Sequence, residues 1–252
     1  MREHLYVAGT DLATYGVYIS GDGTFSAPER EFTTYTVPNR NGALLGASTR
    51  LENISVTYKC FIYTNLDTNI KSLRAFLLSH DGYVKISDTY HPNEYRMGLY
   101  AGPFEPTIRK TLDAGSFDLT FFCMPQRWLT SGDTVITKTA SGVTTLANPT
   151  LFIAKPLVRA YGAGSFSIYH SINGSQVGVT VTIASHIYSY CDIDCESMNC
   201  YYDDKNLNSY VSFAEFNTTN YGVDAPVIYP GNNGLTMTGL TKVELTPRWW
   251  EV

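Results

Sequence analysis

Apolar and polar residues alternate with a period of two along most of the chain. Residues 15–19, Tyr-Gly-Val-Tyr-Ile, run into the turn sequence Ser20-Gly21-Asp22-Gly23, and residues 54–61, 83–86 and 117–121 repeat the alternation. Strict alternation sends successive side chains to opposite faces, so these segments predict half-buried strands. One segment has helical spacing instead. Ile70, Leu73, Phe76 and Leu77 share one face, Asp67 or Thr68 offers an N-cap, and His80-Asp81-Gly82 marks the stop. The expectation is a short helix plugging the end or face of a sheet.

From residue 129 to residue 149 the alternation gives way to Thr, Ser and Gly, with a turn at Ser131-Gly132-Asp133 and a close at Asn148-Pro149. This reads as a linker with one strand over 134–139 and a domain boundary near residue 140. Short runs resume at 151–153, 157–161, 166–172, 178–183, 189–193, 211–213, 235–238 and 242–247, separated by pairs such as Asn173-Gly174 and Gly231-Asn232. Short strands without intervening helices predict a β-sandwich.

Composition narrows the class. The chain has 252 residues, enough for two ordinary domains or one large β domain. Charged residues are only 16%, and 19 tyrosines outnumber the 18 lysines and arginines. This excludes a disordered chain and a long coiled coil. A net charge of −5 argues against a general binder of phosphate backbones. Tyrosine suits surfaces with one end buried and the other wet, which points to interfaces. No run approaches the length of a membrane helix, and Met1-Arg2-Glu3-His4-Leu5-Tyr6-Val7 is no signal-peptide core. The five cysteines are therefore expected as reduced thiols, and the sequons at Asn53, Asn173 and Asn217 as chance.

Candidate chemistry is thin. His186, Cys191, Cys195 and Cys200 lack the close cysteine pair of structural zinc sites. Asp204, Asn206 and Asn208 fall at the first, third and fifth positions of a calcium loop, with Ser212 and Glu215 further on, but Ser209 replaces the required glycine. Gly162-Ala163-Gly164 leads into a strand, not a helix, and so reads as a hairpin turn and not a phosphate cradle. No nucleophile elbow, zinc-protease motif or P-loop occurs. The arginines are scattered singly beside Gly, Pro or aromatics, the pattern of fold or subunit anchors. The expectation is a non-enzyme with no metal and no cofactor.

The order of short motifs carries more. Pro28-Glu29-Arg30 precedes Tyr35-Thr36-Val37-Pro38-Asn39-Arg40-Asn41-Gly42. Asn53-Ile54-Ser55-Val56-Thr57-Tyr58, the helix and Gly82-Tyr83-Val84-Lys85-Ile86-Ser87-Asp88 follow. Then come Tyr90-His91-Pro92-Asn93-Glu94-Tyr95-Arg96, Gly115-Ser116-Phe117-Asp118-Leu119-Thr120-Phe121 and Cys123-Met124-Pro125-Gln126-Arg127-Trp128. This ordered series resembles the distal tail proteins of long, flexible-tailed bacteriophages, the siphoviruses, over nearly all of residues 1–130. In the second half Asn148-Pro149-Thr150, Pro156-Leu157-Val158, Tyr161-Gly162, Ile172-Asn173-Gly174, Ile193-Asp194-Cys195-Glu196, Pro230-Gly231-Asn232-Asn233 and Pro247-Arg248-Trp249-Trp250 resemble that family's galectin-like domain. Asn39 stands where the family usually has glycine, and Met124 where lysine is common. Asn tolerates the left-handed backbone better than most residues, so the turn survives.

The resemblance implies a mainly-β chain. Residues 1–135 form a sandwich or barrel-like domain with one short helix, and residues 136–252 a galectin-like β-sandwich. It further implies a homohexameric ring at the phage tail tip, made in the bacterial host cytoplasm and carried in the virion. The ring joins the tail tube to the tail-tip protein and serves as a hub for receptor-binding or other baseplate proteins. DNA only passes through its bore, and no membrane is engaged. Loops this short leave no room for an inserted module, so a compact scaffold is expected.

A cyclic ring needs two different, complementary faces on each subunit. Residues 37–47 are the candidate arm to a neighbour, with Arg40, Asn41 and Gly42 at its turn and Leu44 and Leu45 as an apolar pair in a polar setting; an ordinary hairpin is the alternative. The alternative function is a sugar-binding adhesin acting through the second domain. Its candidate platform is Tyr188, Tyr190, Tyr201 and Tyr202, with Trp249-Trp250 as another.

Overall fold

The computed structural model describes residues 2–21, 23–46, 50–172, 174–216 and 225–252. Asp22 of the expected turn, Ala47 of the candidate arm and the sequon residues Asn173 and Asn217 lie outside the described residues. The chain is mainly β and divides into two compact units, one running to Arg127 and including Val252, the other Trp128–Glu251. Among the described residues no helix is long and apolar enough to cross a membrane.

The first unit contains β1 (Leu5–Val7), β2 (Thr10–Asp11), β3 (Val17–Ser20), β4 (Thr33–Thr36), β5 (Ala43–Gly46), β6 (Ile54–Tyr63), α1 (Leu66–Leu78), β7 (Val84–Asp88), β8 (Glu94–Tyr100), β9 (Thr107–Arg109) and β10 (Ala114–Cys123). Its main sheet is antiparallel in the order β2-β1-β7-β8-β10-β6-β3, with β9 added on β10. The spine is β6 against β10, paired from Ala114↔Tyr63 to Cys123↔Ile54. The period-two pattern is realised in full here: Val56, Tyr58, Cys60 and Ile62 from β6 and Phe117, Leu119, Phe121 and Cys123 from β10 are all buried. The sheet curls until Ile19 of β3 bridges Glu3, just ahead of β1.

Helix α1 closes over this core with Leu66, Leu73 and Leu77 buried and Ile70 and Phe76 packed beside them. It starts earlier than Asp67 or Thr68 would dictate. Asn65 at the cap is left-handed and makes no side-chain cap bond. The orphan N–H of Leu66 donates instead to Asp113 Oδ1 at 3.1 Å, a carboxylate supplied from the turn before β10.

β11 (Arg127–Leu129) spans the boundary. The second unit then holds β12 (Ile136–Lys138), β13 (Thr144–Asn148), β14 (Leu157–Tyr161), β15 (Gly164–Ile172), β16 (Ser175–Ile183), β17 (Cys191–Asp194), β18 (Asn199–Tyr202), β19 (Lys205–Asn206), β20 (Val211–Phe216), β21 (Gly231–Thr238), β22 (Lys242–Thr246) and β23 (Trp250–Glu251). Two antiparallel sheets, β12-β22-β14-β17-β18-β19 and β13-β21-β15-β16-β20, enclose one core, so the unit is a β-sandwich. Three local expectations change. The stretch read as a linker supplies β12 to one sheet and β13 to the other. Residues 151–153 form no strand, and Leu151 is 89% exposed. Gly162-Ala163-Gly164 joins strands of different sheets, so it is a corner and not a hairpin turn. A Cβ on Gly164 would lie 2.4 Å from the Thr238 carbonyl oxygen, which explains the glycine.

Polar residues of the motif series hold the sandwich together. Buried Asn148 donates to the carbonyls of Phe152 and Ile228 and accepts from Thr150, and buried Asn233 donates to Tyr229 O at 2.7 Å. Arg248 Nη1 donates to Asp194 Oδ1 at 2.7 Å. Burial alone would raise the Asp194 carboxyl, but the Glu196 N–H and the Arg248 guanidinium outweigh it and hold the group below the ordinary carboxylate range. Stability from such a group is present above the unfolded-state value and is lost as pH falls through the folded value. Asp194→Asn is therefore expected to cost about 1–2 kcal/mol at neutral pH, with the gap to the parent narrowing between about pH 5 and about pH 2. Urea unfolding across that range checks it.

Candidate functional site

Strands β4 and β5 pair with each other, Thr33↔Gly46 through Thr36↔Ala43, and form a two-stranded sheet of their own. Every residue from 29 to 45 is exposed. The turn follows from its sequence. Pro38 occupies the first central position, Asn39 the second with φ 63°, and Arg40 N donates to Val37 O at 3.2 Å. Proline followed by a left-handed residue is the type II pattern. Gly42, with φ 79°, returns the chain into β5.

This arm is apolar where a solvated hairpin would be polar. Leu45 is 72% exposed, Phe32 62% and Tyr35 58%. Leu44 stands opposite Tyr35 and Leu45 opposite Thr34. Since neighbours in a strand face opposite ways, both faces of the hairpin carry apolar side chains. A two-stranded ribbon without a core is marginal alone, and clustered exposed apolar residues mark an interaction surface. The predicted residues thus come together: Arg40, Asn41 and Gly42 at the tip, Leu44 and Leu45 on the returning strand. Phe25, Phe32 and Tyr35 belong with them and were not singled out from sequence.

The root of the arm is fixed. The hairpin ladder resumes at Arg30↔Leu51, and an Arg50–Glu31 ion pair flanks it. The preceding strap, Thr24-Phe25-Ser26, is held by two buried guanidinium groups. Arg127 donates to Thr24 O and to Glu94 Oε2 at 2.9 Å, and Arg96 Nη2 donates to Ser26 O at 3.2 Å. Phe25 meets His91 edge-on at 5.1 Å. Asp88 accepts from Tyr58 OH at 2.8 Å and from His91 N at 2.9 Å. Burial and the neighbouring charge of Arg127 lower the Arg96 value, and burial followed by the Asp88 charge raises the Tyr58 hydroxyl well above the ordinary range.

The tyrosines of the second unit divide. Tyr188 stacks on Tyr202 at 4.8 Å, and Tyr190 packs on Tyr202 at 4.6 Å. Tyr188 and Tyr202 also pack against the core. The Arg159 guanidinium lies 4.0 Å from the Tyr190 ring centre while forming a two-pronged pair with Asp192 at 2.7 and 2.8 Å. Tyr190 OH donates to Asp203. Tyr201 sits opposite Asp192 in the sheet register, outside this stack. Trp250 stacks on Phe152 at 4.4 Å, and Trp249 is buried.

The polar loop from Asp204 uses its groups internally. Asp204 pairs with Lys205, Asn206 accepts from Asn208 N, and Asn208 accepts from Cys200 N at 2.6 Å. Cys191, Cys195 and Cys200 are buried free thiols, and burial pushes Cys195 up to about 12. Among the described residues no three His, Cys, Asp or Glu side chains are grouped to hold a metal ion.

The phage tail protein RIFT-related domain family matches residues 10–123, which includes the arm, its strap and most of the curled sheet. No curated protein matches the sequence. Two solved structures share the fold at low identity. The Dit protein of phage SPP1, described as a paradigm of the hub adsorption apparatus in phages infecting Gram-positive bacteria, aligns with a TM-score of 0.69 at 16% identity over 100% of both chains. A chain of the phage p2 baseplate in its activated conformation with Sr aligns with a TM-score of 0.50 at 9% identity, over 97% of this chain and 96% of that one.

The geometry of the root gives a direct test. Arg127→Met leaves Glu94 and the Thr24 carbonyl without their donor, at a cost of about 3 kcal/mol. Cleavage by a limiting protease within residues 23–46 is expected to speed up at least tenfold while the β6–β10 core stays protected in hydrogen exchange.

Proposed function

We propose that this chain, whose residues 10–123 are a phage tail protein RIFT-related domain, is a structural component of the tail tip of a long-tailed bacteriophage. Six copies form a ring that joins the tail tube to the tail-tip protein and presents docking surfaces for host-adsorption proteins. The carrying observation is the fold likeness over the whole of both chains to a protein described as an adsorption hub. The arm supports the same reading from physics. An exposed ribbon with apolar side chains on both faces gains its core only against another surface, and a ring supplies that surface once per subunit.

In this reading the first unit forms the ring and the second offers a docking surface. The net charge of −5 suits a bore through which DNA passes without adhering, since retention of a duplex requires cations along the path. No step of this role calls for catalysis or a cofactor. A sugar-binding adhesin needs open ring faces beside converging polar groups. Here one face of Tyr190 meets the Arg159 guanidinium and Tyr188 is stacked on Tyr202, which favours a structural use of these rings.

Leu44→Asp with Leu45→Asp places two charges on the arm without touching either core. The expected product is a folded monomer with parent-like thermal unfolding and no rings in negative-stain images, where the parent gives six-fold rings. Intact rings in the double variant would remove the arm from the assembly.

A further inference from the structure

The chain contains three asparagine–glycine pairs, Asn41-Gly42, Asn173-Gly174 and Asn233-Gly234. The dipeptide is chemically labile. Glycine has no side chain to shield its backbone nitrogen, so that nitrogen can swing onto the amide carbon of the asparagine before it. The fold decides whether it does. Asn173 lies outside the described residues, and the other two pairs sit in opposite surroundings. Asn233-Gly234 is locked. Asn233 is 3% exposed; its Nδ2 donates to the carbonyls of Leu146, Tyr229 and Gly231 at 3.4, 2.7 and 3.0 Å, and its Oδ1 accepts from Tyr229 N at 2.9 Å. Gly234 is buried within β21, between Tyr169 of β15 and Thr145 of β13, and a Cβ on it would lie 2.4 Å from Tyr169 Cζ. Neither amide can turn unless the sheet opens locally.

Asn41-Gly42 is the reverse case. Both residues are exposed at the tip of the arm, one step before the last ladder pair, Thr36↔Ala43. Among the described residues no hydrogen bond holds the Asn41 amide or the Gly42 N–H, and a Cβ on Gly42 would meet nothing within 4 Å. We propose that Asn41 is a site of spontaneous deamidation. The Gly42 nitrogen attacks the Asn41 side-chain carbonyl carbon, and a new C–N bond closes a five-membered succinimide ring. The side-chain nitrogen leaves as ammonia, carrying the proton that Gly42 gives up. Water then opens the ring at either carbonyl and yields aspartate or isoaspartate. Both products place a new negative charge beside Arg40, and isoaspartate also adds a methylene to the backbone where it returns into β5. A consequence rests on the ring reading above. An arm seated against a neighbour is screened and ordered, so conversion is confined to chains that wait unassembled.

Peptide mass spectrometry on the full chain, aged in mildly alkaline buffer, tests this, since each conversion adds about 1 Da. In the Leu44→Asp, Leu45→Asp chain, and equally in the parent diluted until monomeric, Asn41 is expected to convert at least about tenfold faster than Asn233. Asn41→Ser, with Gly42 kept, is expected to remove that mass gain and no other. In the assembled parent the Asn41 rate is expected to fall about tenfold. Monomers in which Asn41 converts no faster than Asn233 overturn the site. Equal Asn41 rates in rings and monomers overturn the screening by assembly and leave the site standing. A parent that stays monomeric at every concentration overturns the ring reading, and the Asn41 rate then decides the site alone.

Discussion

Two guanidinium groups in the interior of the first unit set the geometry on which its outer surface depends. Arg96 and Arg127 are 5% and 8% exposed, and like charges so placed are costly unless their donors are used. Arg127 uses its donors on the Thr24 carbonyl and on Glu94 as counter-charge, and Arg96 uses Nη2 on the Ser26 carbonyl while its Nη1 is buried without a hydrogen-bond partner. A side-chain donor aimed at a carbonyl orients the chain itself, whatever residue stands there. The strap is thereby attached to the curled sheet at its entry, and the Arg30↔Leu51 bridge closes the ribbon beyond it. An apolar hairpin that would flex freely at the end of a loop instead leaves the domain in a set direction.

That arrangement was only partly legible from sequence. The arm's turn could be read because its determinants are local. Pro38, Asn39 and Gly42 each restrict their own backbone angles, and Asn39 indeed adopts φ 63° in place of a glycine. Leu44 and Leu45 stood out as an apolar pair in a polar setting. Tyr35 did not, because alternation looks alike in a strand that packs inward and in one that faces solvent. The root was illegible for a different reason. The bonds from Arg127 to Thr24 and from Arg96 to Ser26 span 103 and 70 residues, and a carbonyl acceptor has no sequence signature. The scattered single arginines suggested anchors, which Arg127, Arg159 and Arg248 are, but not what each one holds.

The same distinction explains the errors of detail in the fold. The start of α1 is capped by Asp113, 47 residues away, so the local candidates Asp67 and Thr68 could not reveal it. Gly162 and Gly164 look like a hairpin turn because a tight corner and a hairpin demand the same backbone freedom. Only sheet membership, a long-range property, separates them. The stretch from residue 129 to 149 looks like a linker because its two strands are short edge strands whose buried positions, Lys138, Leu146 and Asn148, are mostly polar and so give little apolar alternation. By contrast, the middle of the β6–β10 spine was legible, as strands over 54–61 and 117–121, while its ends at residues 62–63, 114–116 and 122–123 depart from simple alternation and were not read.

The surplus of tyrosine over basic residues then has a physical account. In the second unit, rings serve as supports for charge: Arg159 lies over Tyr190 and Lys242 over Tyr161, each cation also held by a carboxylate. A cation placed between a ring and an acid makes a neutral, well-packed patch from few charged groups. In the first unit the rings of Tyr18, Phe61 and Tyr63 form an open ladder with Arg2 at one end. Association loses less free energy when contacting groups are already ordered. A ladder of stacked rings and an arm held at its root are both ordered before any partner arrives. Under the proposed assembly, a narrow pre-ordered ribbon takes the place of the broad hydrophobic face that permanent interfaces commonly use.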